Sequence, residues 1–225
     1  MVERSRVERG RLITFEGGEG AGKSTQIRHL ATTLSAVGIE VVTTREPGGT
    51  AGAEAIRDLL VEGPPERWLP LTEAVLVTAA RHDHVSRLIE PALAAGRWVL
   101  CDRFVDSTRV YQGLAGAVGL GLVDDLHQLA FSDLTPDLTL ILDVPVPIGL
   151  ARRRSARSEN RYEQMTTDFH ERVRAGFIAL AEREPGRCVV IDAARAEDDV
   201  MLDVDRAVAA RFRLDLDHPS RQSRP

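Results

Sequence analysis

A glycine-rich phosphate-binding loop near the start of the 225-residue chain is the strongest constraint on its fold. Residues 17–24 read Gly-Gly-Glu-Gly-Ala-Gly-Lys-Ser and match the pattern G-x-x-x-x-G-K-[ST] in full. The glycines let backbone N–H groups face the phosphates of a nucleoside triphosphate, and Lys23 can reach the β- and γ-phosphates. Ser24 offers a hydroxyl to Mg²⁺, and the helix that follows points the positive end of its dipole at the anion.

The residues on both sides of the loop fit this interpretation better than an incidental glycine-rich turn. A short apolar run precedes it, and Thr25 to Val37 has the apolar spacing of a helix. Similar strand-like runs alternate with amphipathic segments along the whole chain. They are Leu12–Phe15, Glu40–Thr43, Trp98–Cys101, Leu138–Leu142 and Cys188–Ile191. This alternation predicts an α/β fold with a parallel sheet of about five strands and helices on both faces.

Composition limits the partners and the compartment that we expect. The net charge of −5 and the pI of about 5.7 imply no general affinity for nucleic acid. Cys101 and Cys188 lie inside apolar runs and are expected to be buried thiols in a reducing compartment. The first ten residues lack the apolar core of a secretory signal, and no run is long enough to cross a bilayer. We therefore expect a cytoplasmic protein with no membrane or nucleic-acid partner.

The chain length suits one domain, which we expect over residues 11–213, with flexible tails at 1–10 and 214–225. Leu71–Ala95 is predicted to be a long helix in which Pro91 introduces a late kink.

Polar clusters follow the predicted strands, where ligands bind in open α/β sheets. Arg45 follows the second strand and could clamp a phosphate, although a surface arginine beside a Pro-Gly turn is an open alternative. Asp102 and Arg103 follow the third strand. The carboxylate could hold Mg²⁺ through water and the arginine could neutralise a phosphoryl oxygen, or the two could form a buried ion pair.

Two further arginine features are candidates for nucleotide contacts. Arg81 lies among small residues in a predicted helix, where a planar ligand could fit or where the side chain could simply be solvated. Residues 152–161 contain five arginines in ten positions. A solvated basic face is one interpretation of this stretch. In a chain with a phosphate-binding loop, a lid at about residues 150–162 that covers the transferring phosphoryl group is favoured.

These motifs together resemble the thymidylate kinase family. The resemblance is carried by residues 15–25 around the loop, Thr-Arg-Glu-Pro-Gly-Gly-Thr at 44–50, and Ala-Ala-Arg at 79–81. It continues through Asp-Arg-Phe-Val-Asp-Ser-Thr-Arg-Val-Tyr-Gln-Gly at 102–113, residues 136–144, and Arg-Tyr-Glu at 161–163. It extends from about residue 11 to 212, and the segments at 44–50 and 102–113 are its specific part. The resemblance implies the P-loop nucleoside monophosphate kinase fold and the ATP-dependent phosphorylation of dTMP to dTDP.

The resemblance also implies roles for individual residues. The residues that hold ATP would be Gly17, Gly18, Glu19, Gly20, Ala21, Gly22, Lys23, Ser24, Thr25 and Arg152. Those that bind dTMP would be Arg45, Pro47, Val77, Arg81, Arg103, Ser107, Thr108, Tyr111, Gln112 and Tyr162. Arg45 and Arg103 would hold its phosphate, Arg81 its base edge, and Tyr111 would lie against the deoxyribose. Ser24 and Asp102 would hold Mg²⁺, Asp102 through water.

The expected catalytic set is Lys23, Arg103, Glu19 and a lid arginine, either Arg154 or Arg157. Glu19 in the loop with arginine in the lid resembles the bacterial subtype of the family. The dTMP phosphate is already anionic, so the reaction needs positioning and charge cancellation but no strong base. Family members form homodimers through helices, which implies the same for this chain.

The chain departs from the family pattern in two places. Val77 occupies the position four residues before Arg81, where family members usually have a phenylalanine that stacks on the base. Ala156 occupies a position where some relatives have a lid arginine. Two other functions are alternatives to this one: a P-loop kinase for another nucleoside or monophosphate, and a GTP-dependent switch. The switch is disfavoured because the sequence lacks the N-K-x-D segment that reads guanine.

Overall fold

The structure, a computed structural model, describes residues 8–116, 118–131, 134–154 and 161–216. Five parallel strands form one sheet in the order β2-β3-β1-β4-β5. Their bounds are β1 Leu12–Glu16, β2 Val41–Arg45, β3 Trp98–Asp102, β4 Leu138–Asp143 and β5 Cys188–Asp192. The predicted α/β class and all five predicted strands are confirmed. The second strand begins one residue later than expected and extends to Arg45.

Helices connect these strands and cover both faces of the sheet. The α-helices of the described ranges are α1 Lys23–Ala36, α2 Ala51–Val61, α3 Pro70–His84, α4 Glu90–Ala94, α5 Val105–Thr108, α6 Leu120–Phe131, α7 Val146–Arg154, α8 Thr167–Arg183 and α9 Glu197–Phe212. Short 3₁₀ turns occur at Pro65–Arg67 and Arg161–Gln164, and π-helical turns at Val85–Ile89 and Arg109–Ala115. Within the described ranges, no helix has both the length and the apolarity needed to cross a membrane.

β1 lies at the centre of the sheet, and every one of its residues is buried. Ile13 and Phe15 face a core that α1 and α9 cover, whereas Leu12 faces a second core on the other side. Thr14 is also buried, and its hydroxyl is hydrogen-bonded to that of Thr139 in β4 at 2.8 Å. Because successive side chains of a strand point to opposite faces, a strand covered on both sides needs apolar residues in a continuous run.

The long helix predicted over residues 71–95 forms, but its irregularity differs from the prediction. α3 ends at His84, the π-helical turn follows, and α4 contains Pro91 at its start. Proline has no N–H to donate to the preceding turn, so the hydrogen-bond pattern must change before it. The irregularity therefore begins at Val85, six residues before Pro91, and not at the proline itself.

Packed structure extends beyond the predicted domain boundaries at both ends. The N–H of Gly10 donates to the carbonyl oxygen of Leu93 at 2.8 Å. Leu214 and Leu216, which we expected in the C-terminal tail, pack against the core beside α9. The two cysteines are free and buried, as predicted.

Candidate active site

A cleft of about 380 Å³ lies at the carboxyl edge of the sheet. The register pairs Phe15 with Asp102 and Asp102 with Arg45, so the ends of β1, β2 and β3 meet at this edge. The predicted residues that line the cleft are Glu19, Gly20, Ala21, Gly22, Lys23, Ser24, Thr25, Arg45, Pro47, Val77, Arg81, Asp102, Arg103, Ser107, Thr108, Tyr111, Gln112 and Tyr162. Segments that are far apart in sequence therefore surround one cavity.

The phosphate-binding loop packs tightly against the start of α7. Gly20 has φ 69°, and a Cβ atom there would lie 1.9 Å from the carbonyl oxygen of Gly149. Only glycine satisfies both the left-handed backbone and this close approach. The loop leads directly into α1, whose first residue is Lys23.

Lys23 is buried at the base of the cleft. Its Nζ donates to the carbonyl oxygens of Gly17 at 3.3 Å and Gly18 at 3.1 Å. Burial lowers the pKa of the Lys23 ammonium, and the charge of Arg103 lowers this pKa further, while the Asp102 and Glu19 carboxylates oppose the shift. A buried cation in this setting favours a nearby anion, because an anion offsets the cost of desolvation.

Ser24 and Asp102 form the candidate Mg²⁺ site. The Ser24 hydroxyl donates to Asp102 Oδ2 at 3.1 Å, and both residues line the cleft. Hydroxyl and carboxylate oxygens are the ligand type that Mg²⁺ prefers, so these residues fit the ion. No group of three or more metal-ligating side chains occurs within the described ranges. A direct contact from Ser24 and a water-mediated contact from Asp102 would suit an ion that also binds phosphate oxygens and water.

Arg103 reaches from the end of β3 back to the phosphate-binding loop. Its φ is 67°, an uncommon backbone conformation for a residue other than glycine. The guanidinium donates to the carbonyl oxygen of Gly17 at 3.1 Å and to Glu19 Oε1 at 2.9 Å. Burial alone would raise the pKa of Glu19, but the charges of Arg103, Lys23 and Arg153 hold this pKa below its usual value. Glu19 is therefore ionised and orients Arg103.

Glu16 holds the segment that carries Arg103, and sequence analysis did not identify it as a site residue. This fully buried carboxylate ends β1 and accepts hydrogen bonds from the N–H of Phe104 at 2.8 Å and the Ser107 hydroxyl at 2.6 Å. Burial and the nearby Asp106 raise the pKa of Glu16 to about 7, against the lowering effects of the Ser107 hydrogen bond and Arg103. These hydrogen bonds hold the residues that follow Arg103 and so stabilise its uncommon backbone conformation.

Arg81 is buried within α3, which excludes the solvated alternative considered for it. Its Nε donates to Glu46 Oε2 at 2.6 Å, and its NH2 group donates to the Thr108 hydroxyl at 2.7 Å. The second oxygen of Glu46 is hydrogen-bonded to His84 Nδ1 at 3.1 Å, and His84 Nε2 to Thr44 at 2.7 Å. The guanidinium is therefore held in one orientation at the wall of the cleft.

Arg45 lies at the opposite side of the cleft, at the end of β2. Its side chain is 55% exposed and its NH2 group contacts both carboxylate oxygens of Glu54 at 3.0 Å. Arg57 also lines this side and donates to the carbonyl oxygen of Pro47 at 2.7 Å. Two guanidinium groups at one rim give this end of the cleft a positive character.

Three described residues of the predicted site do not line the cleft. Gly17 and Gly18 lie behind it and offer carbonyl oxygens to Lys23. Arg152 donates to the carbonyl oxygen of Ala193 at 2.8 Å, beyond the end of β5. Arg157 and the side chain of Arg154 lie outside the described residues, so the choice between them stays a prediction.

Five cleft residues were not predicted, namely Glu46, Arg57, Val61, Phe104 and Arg153. Glu46 and Phe104 belong to the motifs that suggested the family, and Arg153 belongs to the arginine-rich stretch. Their neighbours in sequence thus carried a signal for these three. Nothing in the sequence pattern distinguished Arg57 or Val61 from ordinary residues of α2.

Comparison with known proteins decides the family. The family model described as thymidylate kinase matches residues 15–204. The chain belongs to the thymidylate kinase family. A curated thymidylate kinase from Caulobacter vibrioides is 52% identical over 205 residues, which is 91% of this chain and 99% of the relative. One from Dinoroseobacter shibae is 54% identical over 196 residues, covering 87% and 94% of the two chains.

A solved structure supports the same relationship. The crystal structure of thymidylate kinase from Ehrlichia chaffeensis superposes with a TM-score of 0.72 at 36% sequence identity. The match covers 89% of this chain and 99% of that one. The predicted P-loop nucleoside monophosphate kinase fold is thereby confirmed.

The position of Glu16 predicts a specific pH dependence of stability. A carboxyl group whose pKa is raised in the folded state binds its proton more tightly there than in the unfolded chain, so stability falls as pH rises from 4.5 to about 7. Glu16→Gln removes this titration. We expect the free energy of unfolding, measured by denaturant titration between pH 5 and 8, to decline less steeply with pH in the variant. The difference corresponds to about 1.4 kcal/mol for each unit by which folding raises the pKa of Glu16.

The matched control is Glu90→Gln, which makes the same change at an exposed position in α4. It should leave the wild-type slope unchanged. Identical slopes for wild type and Glu16→Gln would show that Glu16 does not titrate differently in the folded and unfolded chains.

Proposed function

We propose that this protein transfers the γ-phosphoryl group of ATP to dTMP and forms dTDP, a step in the biosynthesis of dTTP. The observation that carries the proposal is the meeting of the phosphate-binding loop with Arg45, Arg81 and Arg103 around one cleft. Membership of the thymidylate kinase family supports the same reaction. ATP and dTMP are accordingly its small-molecule partners, and the cytoplasm is its compartment.

The donor nucleotide lies over the phosphate-binding loop in this proposal. The N–H groups of the loop and the N-terminus of α1 bind the phosphates, and Lys23 contacts the transferring group. Arg152, which donates to the carbonyl oxygen of Ala193 after β5, would contact ATP from that side of the loop. Glu19 keeps Arg103 turned toward the loop.

The acceptor lies between α3 and the ends of β2 and β3. Arg45 and Arg103 bind its phosphate, while Arg81 donates to the edge of the base and Val77 provides an apolar surface one helical turn away. Tyr111 occupies the sugar region, where its ring packs under the Arg103 guanidinium at 5.0 Å. The remaining contacts come from the other lining residues, namely Pro47, Ser107, Thr108, Gln112 and Tyr162.

Catalysis in this arrangement is positioning and charge cancellation. A phosphate oxygen of dTMP attacks the γ-phosphorus of ATP in line with the leaving oxygen of ADP, so one P–O bond forms as the other breaks. The attacking oxygen is already anionic, so no side chain has to remove a proton. Mg²⁺, which Ser24 and Asp102 would hold, supplies charge neutralisation on the phosphate oxygens when bound. Lys23 and Arg103 stabilise the charge that shifts toward the leaving group.

A lid over residues 150–162 contributes the last cation. Arg154 and Arg157 remain the candidates from sequence, and Arg153 joins them because it lines the cleft close enough to Glu19 to lower the pKa of that carboxyl. The lid belongs to the single kinase domain proposed for residues 11–213.

Activity measurements test the reaction directly. In a coupled assay of ADP release we expect dTMP to be the preferred acceptor over thymidine, dUMP, dCMP and AMP. Lys23→Ala should lower kcat by about 10²-fold or more, because it removes a charge contact to the transferring group. Arg28→Ala, which removes an exposed cation from the same helix, is the control and should retain activity. Near-normal turnover of Lys23→Ala would exclude the loop from the mechanism.

Val77→Phe tests the placement of the base. Val77 is 7% exposed and lines the cleft one turn before Arg81. A phenylalanine there should change dTMP affinity, either tightening it by about 0.5–1.5 kcal/mol through added stacking area or weakening it through overpacking against the buried neighbours. Calorimetric titration with dTMP and ATP separates the cases. A change confined to dTMP supports the placement, and unchanged affinity for both nucleotides contradicts it.

We also propose that the protein is a homodimer. α3 and α6 pack side by side, and these two helices, with the residue before α3, carry large exposed apolar side chains that an isolated monomer would leave in water. These residues are Leu69, Leu71, Val75, Leu122 and Leu129. Leu129 is 86% exposed, although His127 and Phe131, two residues to either side of it in α6, are buried.

Leu129→Glu should therefore shift the protein from dimer to monomer in light scattering after gel filtration, because a buried unpaired carboxylate opposes association. Val37→Glu introduces the same charge at an exposed apolar position after α1 and should leave the dimer intact. A dimer that persists in Leu129→Glu would place the interface elsewhere.

A further inference from the structure

We propose that Glu73 is a positioning residue that fixes Gln112 and Tyr162 on the acceptor side of the cleft. The inference rests on the proposed function, since it assigns to the acceptor the part of the cleft that these two side chains line. Glu73 does not itself line the cavity. It acts through its hydrogen-bond partners.

Glu73 is a shared acceptor for three side chains, which come from two parts of the chain. Its Oε1 accepts from Gln112 Nε2 at 2.7 Å and from the Tyr162 hydroxyl at 3.1 Å. Its Oε2 accepts from Arg161 NH2. The Glu73 side chain is only 13% exposed, so water competes poorly for these bonds.

The position of Glu73 on α3 connects it with the base-contacting residues. Glu73, Val77 and Arg81 are spaced four residues apart and therefore lie along one face of the helix. Val77 and Arg81 line the cleft directly, whereas Glu73 lies one turn further back and holds Gln112 and Tyr162. One helix face thus provides two cleft residues and the support for two more.

Arg161 explains why a carboxylate is needed at this position. Its side chain is 1% exposed, and it donates to the carbonyl oxygen of Leu60 at 3.0 Å and to that of Pro65 at 2.7 Å. Those two bonds attach it to the end of α2 and the following 3₁₀ turn. Carbonyl oxygens do not neutralise a guanidinium, and Glu73 supplies the opposite charge. The charge of Glu73 therefore anchors residue 161 and, through it, the adjacent Tyr162.

The hydroxyl of Tyr162 is well suited to be oriented in this way. Burial and the charge of Glu73 both raise the pKa of Tyr162, so its hydroxyl stays protonated and donates to Glu73. Its ring packs edge-on against Tyr111 at 5.8 Å between centroids. A displacement of Tyr162 would therefore reach Tyr111 in the sugar region.

Binding measurements on Glu73→Gln and Glu73→Ala test the proposal. Glu73→Gln removes the charge and one of the two acceptor oxygens, and Glu73→Ala removes both oxygens. Either change should raise the dissociation constant for dTMP by about tenfold or more, the range expected for a hydrogen bond to a charged group, and leave that for ATP unchanged. Leu180→Ala, a buried change in α8 outside the cleft, is the control for lost stability and should not affect dTMP selectively. If Glu73→Ala does not fold, the isosteric Glu73→Gln carries the test.

A double-mutant cycle with Tyr162→Phe separates positioning from general support. If Glu73 acts through the Tyr162 hydroxyl, Glu73→Gln combined with Tyr162→Phe should weaken dTMP binding by less than the product of the single effects. Additive effects, equal weakening for both nucleotides, or unchanged dTMP affinity would each overturn the proposal. Wild-type protein that does not bind dTMP at all would instead contradict the proposed function, so the two failures are distinguishable.

Discussion

The cost of burying arginine and lysine shapes the whole cleft. A guanidinium that leaves water must find an anion or several carbonyl oxygens, since uncompensated burial of a charge is far more expensive than one interaction can offset. Three arginines in or beside the cleft meet this need with one carboxylate each. Glu46 serves Arg81, Glu19 serves Arg103, and Glu73 serves Arg161. These pairs fix where each cation points.

The anions come from different elements than the cations they serve, and this has a structural consequence. Glu46 follows β2 whereas Arg81 belongs to α3, and Glu19 lies in the phosphate-binding loop whereas Arg103 follows β3. Each ion pair therefore joins two walls of the cleft. Pairing between parallel strands brings the chain segments to one edge, and the ion pairs then set the distance between the side chains. The same ion pairs therefore determine both the shape of the cleft and the positions of its charges.

The part of the site that sequence predicts is the part encoded in local motifs. The residues of the phosphate-binding loop are contiguous in the sequence, and the spacing of the glycines and the lysine identifies the motif. Strand ends are predictable because apolar runs mark them, and the chemistry of an open parallel sheet lies at those ends. Arg45, Asp102 and Arg103 were found in this way, and all three line the cleft.

The residues that support the site were missed because their roles depend on contacts between distant segments. Glu16 closes hydrogen bonds to Phe104 and Ser107 across 88 and 91 residues. Glu73 bonds Tyr162 across 89 residues. The spacing of residues along the sequence does not reveal such a pairing. Without the fold, nothing distinguishes such a carboxylate from an ordinary polar residue.

α3 illustrates how these levels combine. Its buried residues recur at helical spacing, and Glu73, Val77 and Arg81 lie at successive turns of the helix. A helix advances about 5.4 Å per turn, so the three side chains are about equally spaced along its axis. Arg81 is fixed at one end by Glu46 and Thr108, and Glu73 is fixed at the other by Arg161. Val77 lies between two anchored positions. The ion pairs at both ends of this helix face therefore hold the Val77 side chain in place at the wall of the cleft.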